Sequence, residues 1–184
     1  MKKFTFIALL FISILSSAQQ KKDTTEADKK LLPYYIETCV DKMTDKSYAF
    51  GSKSLLCSDD GKKGFSVRIS WNNKGGEPIY GGFSVKSAGI GSCVENSTLI
   101  LLCDDDTKVK AVAWNKFNCE GNSYMDFGSK MFDELTAKKV IAIRFENGRT
   151  FDSYTYKLTP KEQTYFIEVG EAFVNKRFVS GKCD

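Results

Sequence analysis

The residues of this chain able to do chemistry are its cysteines, two carboxylate runs and a few aromatics, because histidine is absent. Without histidine there is no Ser-His-Asp or Cys-His nucleophile and no His-ligated metal. No Cys-x-x-Cys pair occurs, so neither thioredoxin-like exchange nor a zinc knuckle is expected. Asp59-Asp60 and Asp104-Asp105-Asp106 lack the alternating spacing of a calcium loop. Adjacent side chains on extended backbone point apart, so these aspartates are read as turn formers that bond their own backbone. Glycoside hydrolysis needs only two carboxylates, facing each other at ~5–9.5 Å. Glu95, Asp126, Glu146 and Asp152 are available, but nothing in the sequence pairs any two. No catalytic residue, metal site or cofactor is assigned.

Aromatic rings offer a second kind of chemistry, stacking on the C–H faces of sugars. Trp71, Tyr80, Trp114 and Tyr124 would form such a strip if they shared a sheet face. Trp71 continues the apolar alternation Phe65, Val67, Ile69, which puts it in the core, and Trp114 is also read as core.

These residues need elements to hold them, and the pattern is mostly strand. Alternation over Phe65–Trp71 marks a half-buried strand between turn-forming stretches. Weaker strands are expected over 34–40, 48–50, 54–57, 82–85 and 123–127. The apolar run Thr98–Cys103 predicts a central strand covered on both faces, returning through the aspartate turn as Val109–Trp114. A short helix is expected over Lys130–Lys138 with Ser129 as its cap. Val140–Phe145 and Thr150–Tyr156 are read as a hairpin around Asn147-Gly148.

Thr159-Pro160-Lys161-Glu162 is a capping box opening a last helix, with Tyr165, Phe166, Val169, Ala172 and Phe173 on one apolar stripe. A second stripe, Ile167, Val174 and Phe178, is either a docking surface for a partner or another copy of the chain, or a face covered by the C-terminal tail or a loop. The fold class is therefore mainly β: an antiparallel β-sandwich or curved sheet with one short helix and a C-terminal helix packed on it.

The N-terminus states an address. Lys2 and Lys3 precede an apolar run from Phe4 to Leu15, and Ser16-Ser17-Ala18 offers small residues for cleavage. Residues 1–18 read as a signal peptide, 19–30 as a flexible polar lead-in and 31–184 as a single β-rich domain. The run is too short to span a bilayer. With Lys2 and Lys3 removed, the formal charge falls from +4 to +2, too little for a nucleic-acid binder. The protein is expected to be exported, to the periplasm or beyond.

In an exported chain, an even set of six cysteines reads as up to three disulfides. If Leu99–Cys103 pairs with Val109–Ala113, opposed residue numbers sum to 211 or 212, and Cys93 with Cys119 sums to 212. A continued hairpin would bring those two within disulfide reach. Of the remaining pairings, Cys39–Cys57 and Cys103–Cys183 are favoured.

Residues 114–121 (WNKFNCEG) and 143–150 (IRFENGRT), with 41–46 (DKMTDK) and Gly91-Ser92-Cys93, resemble a recurring type of exported Bacteroidota protein. The resemblance covers about Asp41 to Ala172. It implies an exported β-rich domain and supplies no activity, cofactor or site residue. Asp23-Thr24-Thr25 is similar to the O-glycosylation motif of Bacteroidota export proteins, which makes Thr24 a candidate modification site. The expectation is a non-enzymatic binding module of the cell envelope or exterior with a protein or glycan partner. The alternative is a carbohydrate-binding module or a carboxylate-based glycan-active enzyme.

Overall fold

The computed structural model describes residues 36–180 apart from 42, 44, 45, 75 and 76. The stretches read as a signal peptide and as a lead-in with Thr24, and Cys183, lie outside the described residues. What is described is mostly β, in two sheets. The larger contains β1 (Ile36–Asp41), β2 (Lys46–Ser52), β3 (Leu55–Cys57), β4 (Gly64–Lys74), β5 (Glu77–Ala88), β8 (Asn122–Phe127) and β11 (Phe178–Ser180). Its order is β11-β1-β2-β4-β5-β8, with β3 also pairing β4. The smaller is ordered β10-β9-β6-β7, from β6 (Thr98–Cys103), β7 (Lys108–Val112), β9 (Val140–Glu146) and β10 (Ser153–Lys157). All pairings are antiparallel except β1 with β11. Two helices complete the frame, α1 (Ser129–Ala137) and α2 (Tyr165–Val174).

The alternation in β4 does what it promises: Phe65, Val67, Ile69 and Trp71 are buried, while Ser66, Arg68 and Ser70 line the opposite face. The second sheet reaches the buried face at one end, where the Phe65 and Phe145 rings lie 5.8 Å apart. The helices reach it at the other: Phe173 of α2 stacks on Trp71 at 4.6 Å and Phe132 of α1 meets it edge-on at 5.8 Å. Gly81 faces Trp71 across the ladder, and a Cβ there would run into the Phe127 ring.

Several expectations are corrected. β6 is central, but Ile100 and Leu102 stay part-exposed, because only one face of the smaller sheet meets the core. Gly128, in extended conformation, precedes α1 without a side-chain cap, so Ser129 is the first helical residue. The β9–β10 hairpin has a four-residue loop, 148–151, closed by hydrogen bonds between Asn147 and Asp152 and from Phe151 N–H to Asn147 O. The capping box forms, with the Glu162 carboxylate accepting from Thr159 N and Oγ1 at 2.8 Å each, but a 3-10 turn precedes α2.

The second apolar stripe is not one surface. The helix ends at Val174 and the chain reverses at Lys176 (φ 51°). Phe178 therefore sits in β11, 5.2 Å from the Phe50 ring. Ile167 is half-buried and Val174 exposed.

Cys57 and Cys103 are buried free thiols, which excludes the pairings Cys39–Cys57 and Cys103–Cys183. Each occupies an apolar position on the inner side of its own strand. Burial pushes the Cys57 thiol up to about 12, so it behaves as a small hydrophobe. Cys39 is itself disulfide-bonded.

Candidate functional site

Cys93 and Cys119 are bonded, but the register that argued for them is different. Paired residues of β6 and β7 have numbers summing to 210, and this persists to the Ala113 N–H bond to Ser97 O. Beyond it the arms are unequal. Three steps lead from Ser97 back to Val94, but five lead from Ala113 to Asn118, and Val94 and Asn118 bond reciprocally at 2.8 and 3.1 Å. The two extra residues make a detour, and the detour carries Trp114.

That segment leaves the smaller sheet and runs beside β8, the edge strand of the larger one. Trp114 N–H donates to Tyr124 O at 3.0 Å, and the Asn115 Oδ1 accepts from Tyr124 N–H at 2.8 Å. Asn115 and Asn118 also donate from their Nδ2 atoms to Asn122 O at 2.9 and 2.7 Å. These amides satisfy the strand edge and hold the loop in one shape.

The indole is thereby thrown outward. Trp114 is 64 % exposed, stacked on Tyr124 at 5.9 Å with 29° between planes, and its Nε1–H donates to Asp126 Oδ1 at 3.2 Å. The expectation that Trp114 is core is overturned; Trp71, at 5 % exposure, is core. The Tyr80 side chain lies outside the described residues. Beside the shelf the outer sheet face is low and polar. Ser84 lies opposite Tyr124 and Gly82 opposite Asp126, followed on β4 by Arg68 and Ser70. Arg68 crosses Gly51 to reach Glu37 at 3.2 Å, and a Cβ at 51 would collide with its guanidinium.

A second loop meets this one at the same end of the sandwich. Asn147 is fully buried, and its Nδ2 donates to Ile90 O at 3.0 Å and Cys93 O at 2.8 Å, while Oδ1 accepts from Arg149 N–H at 3.0 Å. Gly91 (φ 78°) gives the close approach this needs, since a Cβ there would strike Asn147 and Thr150. The hairpin so anchored places the Arg149 guanidinium 4.4 Å above the Phe117 ring. At its tip Phe151 is 88 % exposed in the left-handed region (φ 60°), a conformation that costs a bulky residue energy.

The aspartate runs are turn chemistry. Asp60 Oδ1 accepts from the N–H groups of Lys62 and Lys63 at 2.8 and 3.0 Å, and Asp105 Oδ1 from Thr107 N–H at 3.1 Å. Hydrogen bonds from Lys138 and Thr107 hold the Asp105 carboxyl down at about 2. Among the described residues no cluster of acidic or cysteine side chains could hold a metal ion. Asp126 and Glu146 belong to different sheets, and each has a partner: the Trp114 indole for one, Arg144 at 3.7 Å for the other. The structure gathers Trp114, Tyr124 and Asp126 into one shelf.

Sequence reasoning missed Asn147 as an anchor, and missed Phe117, Arg149 and Phe151 altogether. Arg149 and Phe117 lie within the segments 143–150 and 114–121, but no local periodicity marks two loops that meet only in three dimensions. No helix among the described residues is long and apolar enough to cross a membrane. Comparison with protein-family models, curated proteins and solved structures finds no match, so the site is read from its own geometry.

Proposed function

We propose that this protein is an exported, non-enzymatic binding module that holds a glycan on its Trp114 shelf. The observation that carries this reading is the exposed indole, stacked on Tyr124 and pinned by Asp126. A large aromatic surface left open to water loses the hydrophobic gain of burial, and here three interactions fix its plane. The negative face of an indole attracts the polarised C–H groups of a sugar ring. Ser84, Ser70 and Arg68 on the same sheet face provide donors and acceptors for hydroxyls. Export is supported by the leader sequence and by the Cys93–Cys119 disulfide.

Affinity electrophoresis through gels containing mannan, xylan, galactan or polygalacturonate tests the reading. At least one polymer retards the wild type, and Trp114→Ala abolishes the retardation with an unchanged melting temperature. Unretarded migration in every gel overturns it. N-terminal sequencing of the exported chain, expected to begin at Gln19, tests the leader. Phe151 favours a second reading, a protein partner whose apolar pocket takes this side chain. In that case a pull-down from the native host loses a specific protein when Phe151→Ala is the bait.

A further inference from the structure

We infer that Arg149 recognises a carboxylate on the bound glycan, so that the ligand is a uronic-acid polysaccharide; this rests on the glycan reading above. Arg149 is a cation without an anionic partner, on a rigid mount. Among the described residues it makes no ion pair, and its guanidinium donates no hydrogen bond. Arg68 and Arg144 differ: the first is bonded to Glu37 at 3.2 Å, the second to Thr155 Oγ1 at 2.7 Å, with Glu146 at 3.7 Å.

Two carboxylates of the shelf and its loop are already bonded. Asp126 accepts from the Trp114 indole and Glu120 from Asn122 Nδ2 at 2.9 Å. What holds Arg149 is the Phe117 ring. Stacking contacts the flat face of the guanidinium and leaves its N–H edge able to donate, and that planar fork matches a carboxylate bidentately.

The mount is stiff on both sides. Phe117 lies two residues before the Cys93–Cys119 bond and one before the Asn118 clip, and Arg149 N–H is bonded to buried Asn147. Phe117 is three steps along the chain from Trp114, so their Cα atoms are at most about 11 Å apart. On this inference one polysaccharide chain contacts both the shelf and the cation. Preorganisation of this kind reduces the ordering cost of binding.

The test measures affinity for polygalacturonate and for the same polymer after reduction of its carboxyl groups to neutral galactan, with dextran sulfate as a third probe. The wild type is expected to prefer polygalacturonate about 10- to 100-fold, as one bidentate charged contact implies. Arg149→Gln removes that preference and leaves galactan affinity unchanged, Arg149→Lys recovers only part of it, and Trp114→Ala removes binding of both. Galactan binding that depends on Trp114 with no gain from the carboxyl groups overturns the Arg149 assignment alone. Equal binding of dextran sulfate, or unchanged polygalacturonate affinity in Arg149→Gln, overturns it as well. Absence of any Trp114-dependent binding removes the glycan reading and this inference together.

Discussion

The two tryptophans of this chain sit on opposite faces of one sheet and illustrate two uses of the same side chain. Trp71 is enclosed between Phe173 and Phe132 and is 5 % exposed. Trp114 rests on a single ring, Tyr124, and is 64 % exposed. Both are fixed in orientation. Trp71 is fixed by packing from all sides, which contributes to stability. Trp114 is fixed by one ring, one indole hydrogen bond and a clipped backbone, which leaves its open face for a ligand. The difference comes from the chain on either side. Trp71 lies in β4, paired with Phe50 on one side and Gly81 on the other, and Trp114 lies on a two-residue excess between unequal arms.

Substitution separates the two roles most sharply. Trp71→Ala should cost about 3–5 kcal/mol, since a cavity opens against the Phe173 and Phe132 rings, whereas Trp114→Ala should cost less than about 1 kcal/mol. Urea denaturation of both variants checks this, and similar losses would break the comparison. Removing the Cys93–Cys119 bond by double substitution to serine should cost about 2–4 kcal/mol and should also weaken glycan binding, because Phe117 and the Asn118 clip lose their brace. Chemical denaturation and affinity electrophoresis of the same variant show whether stability and binding fall together.

Asn147→Ala leaves the carbonyls of Ile90 and Cys93 without their donor, at an expected cost of about 1–3 kcal/mol. Hydrogen exchange should show faster amides in 89–96 and 147–152 and unchanged ones around Trp71. Phe151→Gly should stabilise the fold by about 0.5–1 kcal/mol, since glycine accepts φ 60° without strain. A lower melting temperature in that variant would mean that the Phe151 ring packs in solution.

The smallest effect belongs to Asp105, whose folded carboxyl is lowered to about 2. A depressed carboxylate stabilises the fold above the unfolded value, near ~3.9, and this contribution is lost as pH falls toward 2. The melting-temperature difference between the wild type and Asp105→Asn should therefore shrink between pH 5 and pH 2.

Local rules made much of the frame legible. Alternation located β4, apolar content located β6, and Thr159 with Glu162 marked the approach to α2. Each is written within a few consecutive residues. The exposure of Trp114 is not. It follows from a mismatch between two arms 16 residues apart at the Ser97–Ala113 hydrogen bond and 24 apart at Val94–Asn118, and apolar residue type alone argues for burial. The free thiols show the same limit. Number and compartment argue for Cys57 and Cys103 in a disulfide set, but pairing requires two sulfurs to meet, and each sits in its own strand within the core. Arg149 and Phe117 become a pair only once Asn147 joins their loops.

With two tryptophans in the chain, fluorescence tests the central claim directly. With excitation confined to the indole band, polygalacturonate and its neutral galactan are titrated into Trp71→Phe, where Trp114 is the only tryptophan, and into Trp114→Phe, where Trp71 is. A saturable change in emission in Trp71→Phe and none in Trp114→Phe is the predicted result. A change that persists in Trp114→Phe, or no change in either variant with either polymer, would contradict it.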